Sequence, residues 1–320
     1  MGINALGSVV HGDMNGVQIT GLANLAGGTM RGVQLAGISN ISGNNTVGLS
    51  AAGLVNITGD RTQGVIISGL TSIGGDNTSG LMISGFMNVT GNMASGLHFS
   101  GAANITGQSF GGLMASGLLN VVGEHMNGLQ MAGIANITAS KLNGVQIALC
   151  NYATQARGLQ IGLVNYYKEN MKGFQLGLVN ANPDTRVQMM VYGGNATPAN
   201  IGVRFKNQLF YTILGIGSMY QGLNDKFSAS ASYRAGLSFT LYKGLSISGD
   251  LGYQHIEAFD NKDEVIPKRL YALQARANLE YQFTRKFGIF ATGGYGLTRF
   301  YNKSSNYDKG AIIEAGIVLF

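Results

Sequence analysis

The 320-residue chain has no tryptophan, one cysteine, three prolines and only 11% charged residues. Each scarcity excludes something. The single Cys150 rules out an intramolecular disulfide framework. No apolar run approaches the roughly 20 residues that a transmembrane helix needs. His11, His98, His125 and His255 are scattered, without ligand spacing to one another or to Cys150, which leaves no zinc motif. The glycine-rich phrases contain no GxxxxGK[ST], and no Ser-His-Asp constellation stands out, so the expectation is a non-enzymatic protein that needs no cofactor. The formal charge of +6 divides into six Lys/Arg and five Asp/Glu over 1–183 and fifteen and ten over 184–320. Neither part has a basic run, which excludes a nucleic-acid partner on the criterion of a clustered basic face. No signal peptide is visible. Leu6, Ser8, Val9 and Met14 already fall in the repeat register described next, so Met1 is expected to start inside an array whose processed leader has been removed.

What the chain has in excess is glycine, 50 residues, and most of it is periodic. From Gly16 to Gly144 a glycine returns every sixteen residues, as in GVQITGLANLAGGTMR and GVQLAGISNISGNNTV. Such a period marks a solenoid, because a unit this short cannot bury its own apolar face and must stack on its neighbours. The place after the glycine is always aliphatic (Val17, Val33, Leu49 and so on to Val145), and so is the place nine after it (Leu25, Ile41, Ile57 to Ile137). These two columns are the expected core, and Cys150, in an apolar place, is expected to be a buried thiol. Positions twelve and thirteen vary among Asn, Asp, Arg and similar types, as a solvated turn does. The eighth position holds Asn24, Asn40, Asn56, Asn88, Asn104, Asn120 and Asn136, with Ser72 substituting once. Coils stacked about 4.8 Å apart would let each amide bond the next, so the column is expected to be a structural ladder. Four of these asparagines lie in Asn-Ile-Thr or Asn-Val-Thr, formally glycosylation sequons, but the ladder accounts for them without modification.

After Gly144 the spacing drops to fourteen and fifteen, and the unit contracts to GLQIGLVN at Gly158–Asn165 and GFQLGLVN at Gly173–Asn180. Units of this type ahead of a β-rich tail resemble the surface repeat proteins found in Bacteroidota and spirochaete genomes. That resemblance implies an envelope location and carries over no catalytic residue.

At Pro183 the array closes and the hydrophobic period switches from sixteen to two. Over Leu270–Thr284, Tyr271, Leu273, Ala275, Ala277, Leu279, Tyr281 and Phe283 alternate with Gln274, Arg276, Asn278, Glu280 and other mainly polar residues. Eight such strands are expected over 184–320, joined alternately by tight turns and by longer polar loops. The longer loops are Ala196–Ala199, Gln221–Lys226, Phe259–Lys268 and Asn302–Lys309. A long apolar face opposite a polar one, an even strand number and alternating loop lengths predict an outer-membrane barrel. Its inward face should gather Arg204, Arg234, Asp250, Arg276, Glu280 and Glu314 into a network that fills an eight-stranded lumen. Tyr253, Tyr271, Tyr281, Phe283, Phe287 and Tyr295 should form interfacial girdles. Asp260, Asp263 and Glu264 read as a solvated loop tip rather than a calcium site. The terminal Phe320 resembles a barrel-assembly signal, although it shares parity with the inward Glu314.

The fold class expected is therefore all-β: a β-solenoid of 16-residue coils over 1–183, then an eight-stranded antiparallel outer-membrane β-barrel over 184–320. The function expected is that of an anchored scaffold whose partners are outer-membrane lipid and other envelope proteins. A small pore or export component, with the solenoid as plug, is the alternative. The array is expected on the periplasmic side and the long loops outside.

Overall fold

The computed structural model describes residues 2–218, 220, 223, 227–259, 269–302 and 305–320. It is all-β and divides into two compact units, Met1–Gly177 and Leu178–Phe320.

The first unit is a parallel β-solenoid. Each regular coil carries a strand of seven or eight residues, such as Met14–Thr20, and one of four, such as Ala23–Ala26. Coils stack in register, so that Gly16 lies beside Gly32, Gly32 beside Gly48, and Asn24 beside Asn40. Eleven glycines, from Gly16 to Gly173, hold φ between +108° and +148° within the longer strands. L-residues rarely adopt that conformation, and a Cβ at Gly96 would also sit 2.2 Å from the carbonyl oxygen of Gly80. The sixteen-residue glycine period is thus a backbone requirement repeated once per coil. From the last sixteen-residue coil onward, the turn between the two strands of successive coils disappears and they fuse into Ala135–Ile147, Cys150–Ile161 and Val164–Leu176.

The expected core columns prove to face outward. Val17 and its equivalents, and Leu25 and its equivalents, are half-buried or exposed, and none is buried. The inward column of the longer strand is one place further on: Gln18, Gln34, Ser50, Ile66, Met82, His98, Met114, Gln130, Gln146, Gln160 and Gln175. In the shorter strand the inward residues are the asparagines and the small residues two places after them, such as Ala26, Ser42 and Thr58. Strand alternation gives the reason: once the Asn faces inward, its neighbours on either side must face out. The same parity overturns the buried-thiol reading of Cys150, which is exposed.

The second unit is a closed antiparallel barrel of Arg186–Gly194, Ala199–Asn207, Phe210–Ser218, Ser228–Tyr242, Leu245–Ala258, Arg269–Thr284, Phe287–Phe300 and Asn306–Leu319. The last strand closes on the first, from Met189 beside Leu319 to Gly194 beside Glu314. Two-residue turns at 208–209, 243–244 and 285–286 share one end with the start of Arg186–Gly194. Longer connections lie at the other. Residues 260–268, and with them Asp260, Asp263 and Glu264, fall outside the described residues.

Alternation sorts the barrel's faces. Leu251, Leu273, Leu279, Ile289 and Ile313 point outward and are exposed. Tyr281 packs edge-on against Phe283, which stacks with Phe287, near the tight-turn end. Near the other end Tyr253, Tyr271 and Tyr301 cluster. Tyr271 and Tyr281 are ten residues apart on one strand. At the usual rise and a barrel tilt of about 40° that is roughly 25 Å, the height of an outer-membrane apolar band.

Candidate functional site

Two ladders run through the solenoid. In the first, Asn24 Nδ2 donates to Asn40 Oδ1 at 2.9 Å, and Asn40 to Asn56 at 3.0 Å. Asn88, Asn104, Asn120 and Asn136 continue in the same sense at 2.8, 2.9 and 3.0 Å, and the ladder extends to Asn151 and Asn165 at 3.1 and 2.9 Å. The second amide hydrogen goes to a backbone carbonyl of the next coil, for example from Asn24 to Leu35 O (2.8 Å) and from Asn120 to Met131 O (2.6 Å). Each amide therefore fastens two coils and also holds the carbonyl beside the glycine corner. At Ser72 the side chain is too short, and hydroxyls bridge the gap. Asn56 donates to Ser68, Ser68 and Ser72 are 2.7 Å apart, and Ser84 bonds both Ser72 and Asn88. The sequon asparagines Asn56, Asn88, Asn104 and Asn136 are all buried in this ladder, out of reach of glycosylation.

Sequence reasoning missed the second ladder. Gln34 donates to Gln18 at 2.9 Å, Gln146 to Gln130 at 2.9 Å, Gln160 to Gln146 and Gln175 to Gln160 at 2.8 Å. Its signal was the recurring Gln two places after the glycine. Between the two Gln runs the column turns apolar, with Ile66, Met82 and Met114 surrounding His98. His98 packs edge-on against Phe110 at 5.0 Å, and burial lowers its pKa to about 4. The imidazole is therefore neutral at pH 7, with no partner for Nε2 among the described residues.

The barrel lumen holds a paired charge network. Arg204 grips Glu280 through two bonds of 2.5 and 3.0 Å and Gln188 through two more of 3.0 and 2.7 Å. Arg234 binds Asp250 in the same forked manner, at 2.8 Å twice, and reaches Asn278 at 3.1 Å. Glu314 lies between Arg276 (3.1 Å) and Arg234 (3.5 Å). Tyr211 donates to Asp250 at 2.7 Å, and Asn278 does so at 2.8 Å. Three arginines thus face three carboxylates within this network, and Lys206, which donates to Ser238 at 2.9 Å, adds a further cation beside the cavity at one end.

Met190, Tyr192, Tyr211, Ile213, Phe290 and Val318 fill the remaining space. A Cβ on the inward Gly252 would approach Arg276 Nη1 to 3.0 Å and Arg234 Cγ to 3.1 Å, so the glycine makes room for both guanidinium groups. Cavities of about 350 and 410 Å³ open near the two ends. Between them the void bordered by Arg204, Arg234 and Glu280 is about 10 Å³. That is scarcely the space of one water.

Phe320 leaves the strand parity that would have turned it inward. The last strand ends at Leu319, and Phe320 has φ +79°, which swings its ring out to 65% exposure. Its amide bonds the carbonyl of Lys286 at 2.8 Å. Among the described residues no cluster of His, Cys, Asp and Glu could hold a metal ion.

Comparison with protein families and with characterised proteins gives no match. Among solved structures the chain is similar to the N-terminal β-barrel domain of Pseudomonas aeruginosa OprF. The two are 16% identical, with 42% of this chain and 93% of that one covered, at a TM-score of 0.30, too low to bear on function.

Proposed function

We propose that the protein is a non-enzymatic outer-membrane protein whose barrel anchors a rigid β-solenoid used for binding or scaffolding in the envelope. The observation that carries this reading is the barrel's inside-out construction. An apolar exterior between two aromatic clusters surrounds a lumen packed with paired charges, which suits lipid outside and a solid polar core within. Residual space of about 10 Å³ at mid-lumen supports anchoring over conduction. The likeness of the GLQIGLVN units to envelope surface repeats agrees with this setting.

The array is assigned to the periplasm. In outer-membrane barrels the short turns are periplasmic, and here the chain enters the barrel at the end bearing the two-residue turns. A filled eight-stranded lumen offers the array no way through. Protease added to intact cells should cut within the 259–268 connection and spare the array. Labelling of a tag in the array on unpermeabilised cells would reverse the assignment. Recovery of the full chain in a soluble fraction without detergent would overturn the anchoring itself.

A further inference from the structure

The charges of the lumen pair off at mid-height but not at the end that bears the two-residue turns. There Arg186 and Lys206 lie directly opposite each other on Arg186–Gly194 and Ala199–Asn207, and both share the inward parity of Gln188 and Arg204. Like charges placed directly opposite across a strand pair are destabilising. No carboxylate among the described residues lies within ion-pair distance of either cation. Glu280, further along the lumen, is already held by Arg204 through two bonds. Lys206 donates instead to the neutral Ser238 at 2.9 Å, which leaves two of its three donor hydrogens for another partner.

Both cations border the cavity of about 350 Å³ that opens at this end. Thr240 and Ser246, themselves opposite each other on adjacent strands, and Gln282 supply neutral hydrogen-bonding groups to the same lining. Asp184 is its one carboxylate. The turns at this end add Lys243, Arg285 and Lys286 and no carboxylate, so the surroundings reinforce the positive sign. A polar, solvent-open space bordered by two adjacent cations that lack an acidic partner is built to receive an anion.

We propose that this mouth of the barrel binds a phosphate group, carried as a phosphate monoester, between Arg186 and Lys206. Two features select phosphate over a carboxylate. A planar carboxylate is satisfied by a single arginine fork, whereas a tetrahedral dianion takes charge-assisted bonds from a guanidinium and an ammonium at once. Its remaining oxygens then point away from both cations, toward hydroxyl and amide donors such as those of Thr240, Ser246 and Gln282. The cavity also has room beyond the phosphate for the group that bears it, which leaves a soluble ester and a lipid headgroup as sources of the same chemistry. The proposal uses only the barrel fold, and stands whether or not the array is a scaffold.

The full chain, folded in a neutral alkyl-maltoside detergent at about pH 8, where a phosphate monoester is a dianion, is titrated with inorganic phosphate in chloride of matched ionic strength. Calorimetry should show saturable binding of one phosphate per chain, and phosphate should raise the urea midpoint of the barrel. Lys206→Met and Arg186→Gln should each weaken binding roughly tenfold or more, the effect of losing one charge-assisted bond, and should lose the phosphate-dependent rise in midpoint. Lys309→Gln, at the opposite end, should bind as the wild type does. Arg186 is exposed at the start of its strand, so Arg186→Gln tests the site even where Lys206→Met does not fold. In phosphatidylcholine nanodiscs, competition by phosphatidic acid would identify a lipid headgroup as the source, and competition by glycerol phosphate alone a soluble ester. Acetate that competes as well as phosphate would overturn the choice of phosphate. No saturation up to about 10 mM, or binding indifferent to both substitutions, would overturn the site. Neither result touches the anchoring reading, against which only failure of the chain to enter the nanodiscs would count.

Discussion

Single positions in the solenoid are constrained by what repeats on either side of them. Gly96 combines φ +108° with a would-be Cβ contact of 2.2 Å to a neighbouring backbone oxygen, whereas Gly111, next to the Gly112 of the following coil, has nothing within 4 Å and no unusual φ. Gly96→Ala should therefore destabilise by about 2–4 kcal/mol, and Gly111→Ala by less than about 1 kcal/mol, in chemical denaturation of the array. His98 gives a pH signature. Its unfolded form takes up a proton near the ordinary value of 6.5 and its folded form only near 4, so between these values the unfolded state holds the extra proton. Stability should fall as pH drops through that window, by on the order of 3 kcal/mol in full. His98→Met, matching its neighbours Met82 and Met114, should remove that component of the pH dependence in melts compared at pH 7 and 4.5.

At the scale of strands and columns the Asn ladder makes a sharper demand. Asn120→Ala removes the bond from Asn104, the bond to Asn136 and the tie to Met131 O, leaving buried groups without partners. A loss of about 2–4 kcal/mol is expected. The Ser68, Ser72 and Ser84 relay shows how to repair it. Asn120→Ser together with Ala132→Ser, beside the existing Ser116, recreates the same three hydroxyls one ladder step apart and should recover a substantial part of the loss. If the double variant melts no higher than Asn120→Ala, the hydroxyl relay is not what maintains the ladder at Ser72. Element by element, the sequence disclosed the repeat, the change of period at Pro183 and the alternation of Leu270–Thr284, because each depends on local spacing. It did not disclose which face of the solenoid walls was inside. Hydropathy assigns Val17 to the core and Gln18 to solvent, but a side chain stacked on its own copy sixteen residues away can satisfy its hydrogen bonds without water, and no local pattern separates that case from a wet surface. The lumen of the barrel was more legible, since arginines and carboxylates on one face of an otherwise apolar strand leave few other places for them. Their pairing was not legible, because Arg204 and Glu280 are 76 residues apart and meet only through barrel closure.

For the molecule as a whole, the two units share a construction in which polar side chains turn inward and are paired there, beside buried apolar ones such as Met30, Phe110 and Met126 in the solenoid and Met190 and Phe290 in the barrel. In the barrel the inward groups are charges joined across the lumen, and such a pair behaves as a unit. Removing one partner strands a buried charge, while removing both leaves only a void. Glu280→Ala should accordingly cost about 3–5 kcal/mol in urea unfolding of the reconstituted barrel, and the Arg204→Ala, Glu280→Ala double variant distinctly less than the sum of the two single losses. The same pair decides conduction. With Arg204 and Glu280 beside Phe290 and Tyr211, the mid-lumen void of about 10 Å³ admits no hydrated ion, so the wild-type protein should be silent in planar bilayers. The double variant removes two of the side chains that border this void and should give small, brief conductance steps if the network is the plug. Steady single-channel conductance from the wild-type protein would show that the lumen opens under voltage, and would restore transport as the function of the barrel.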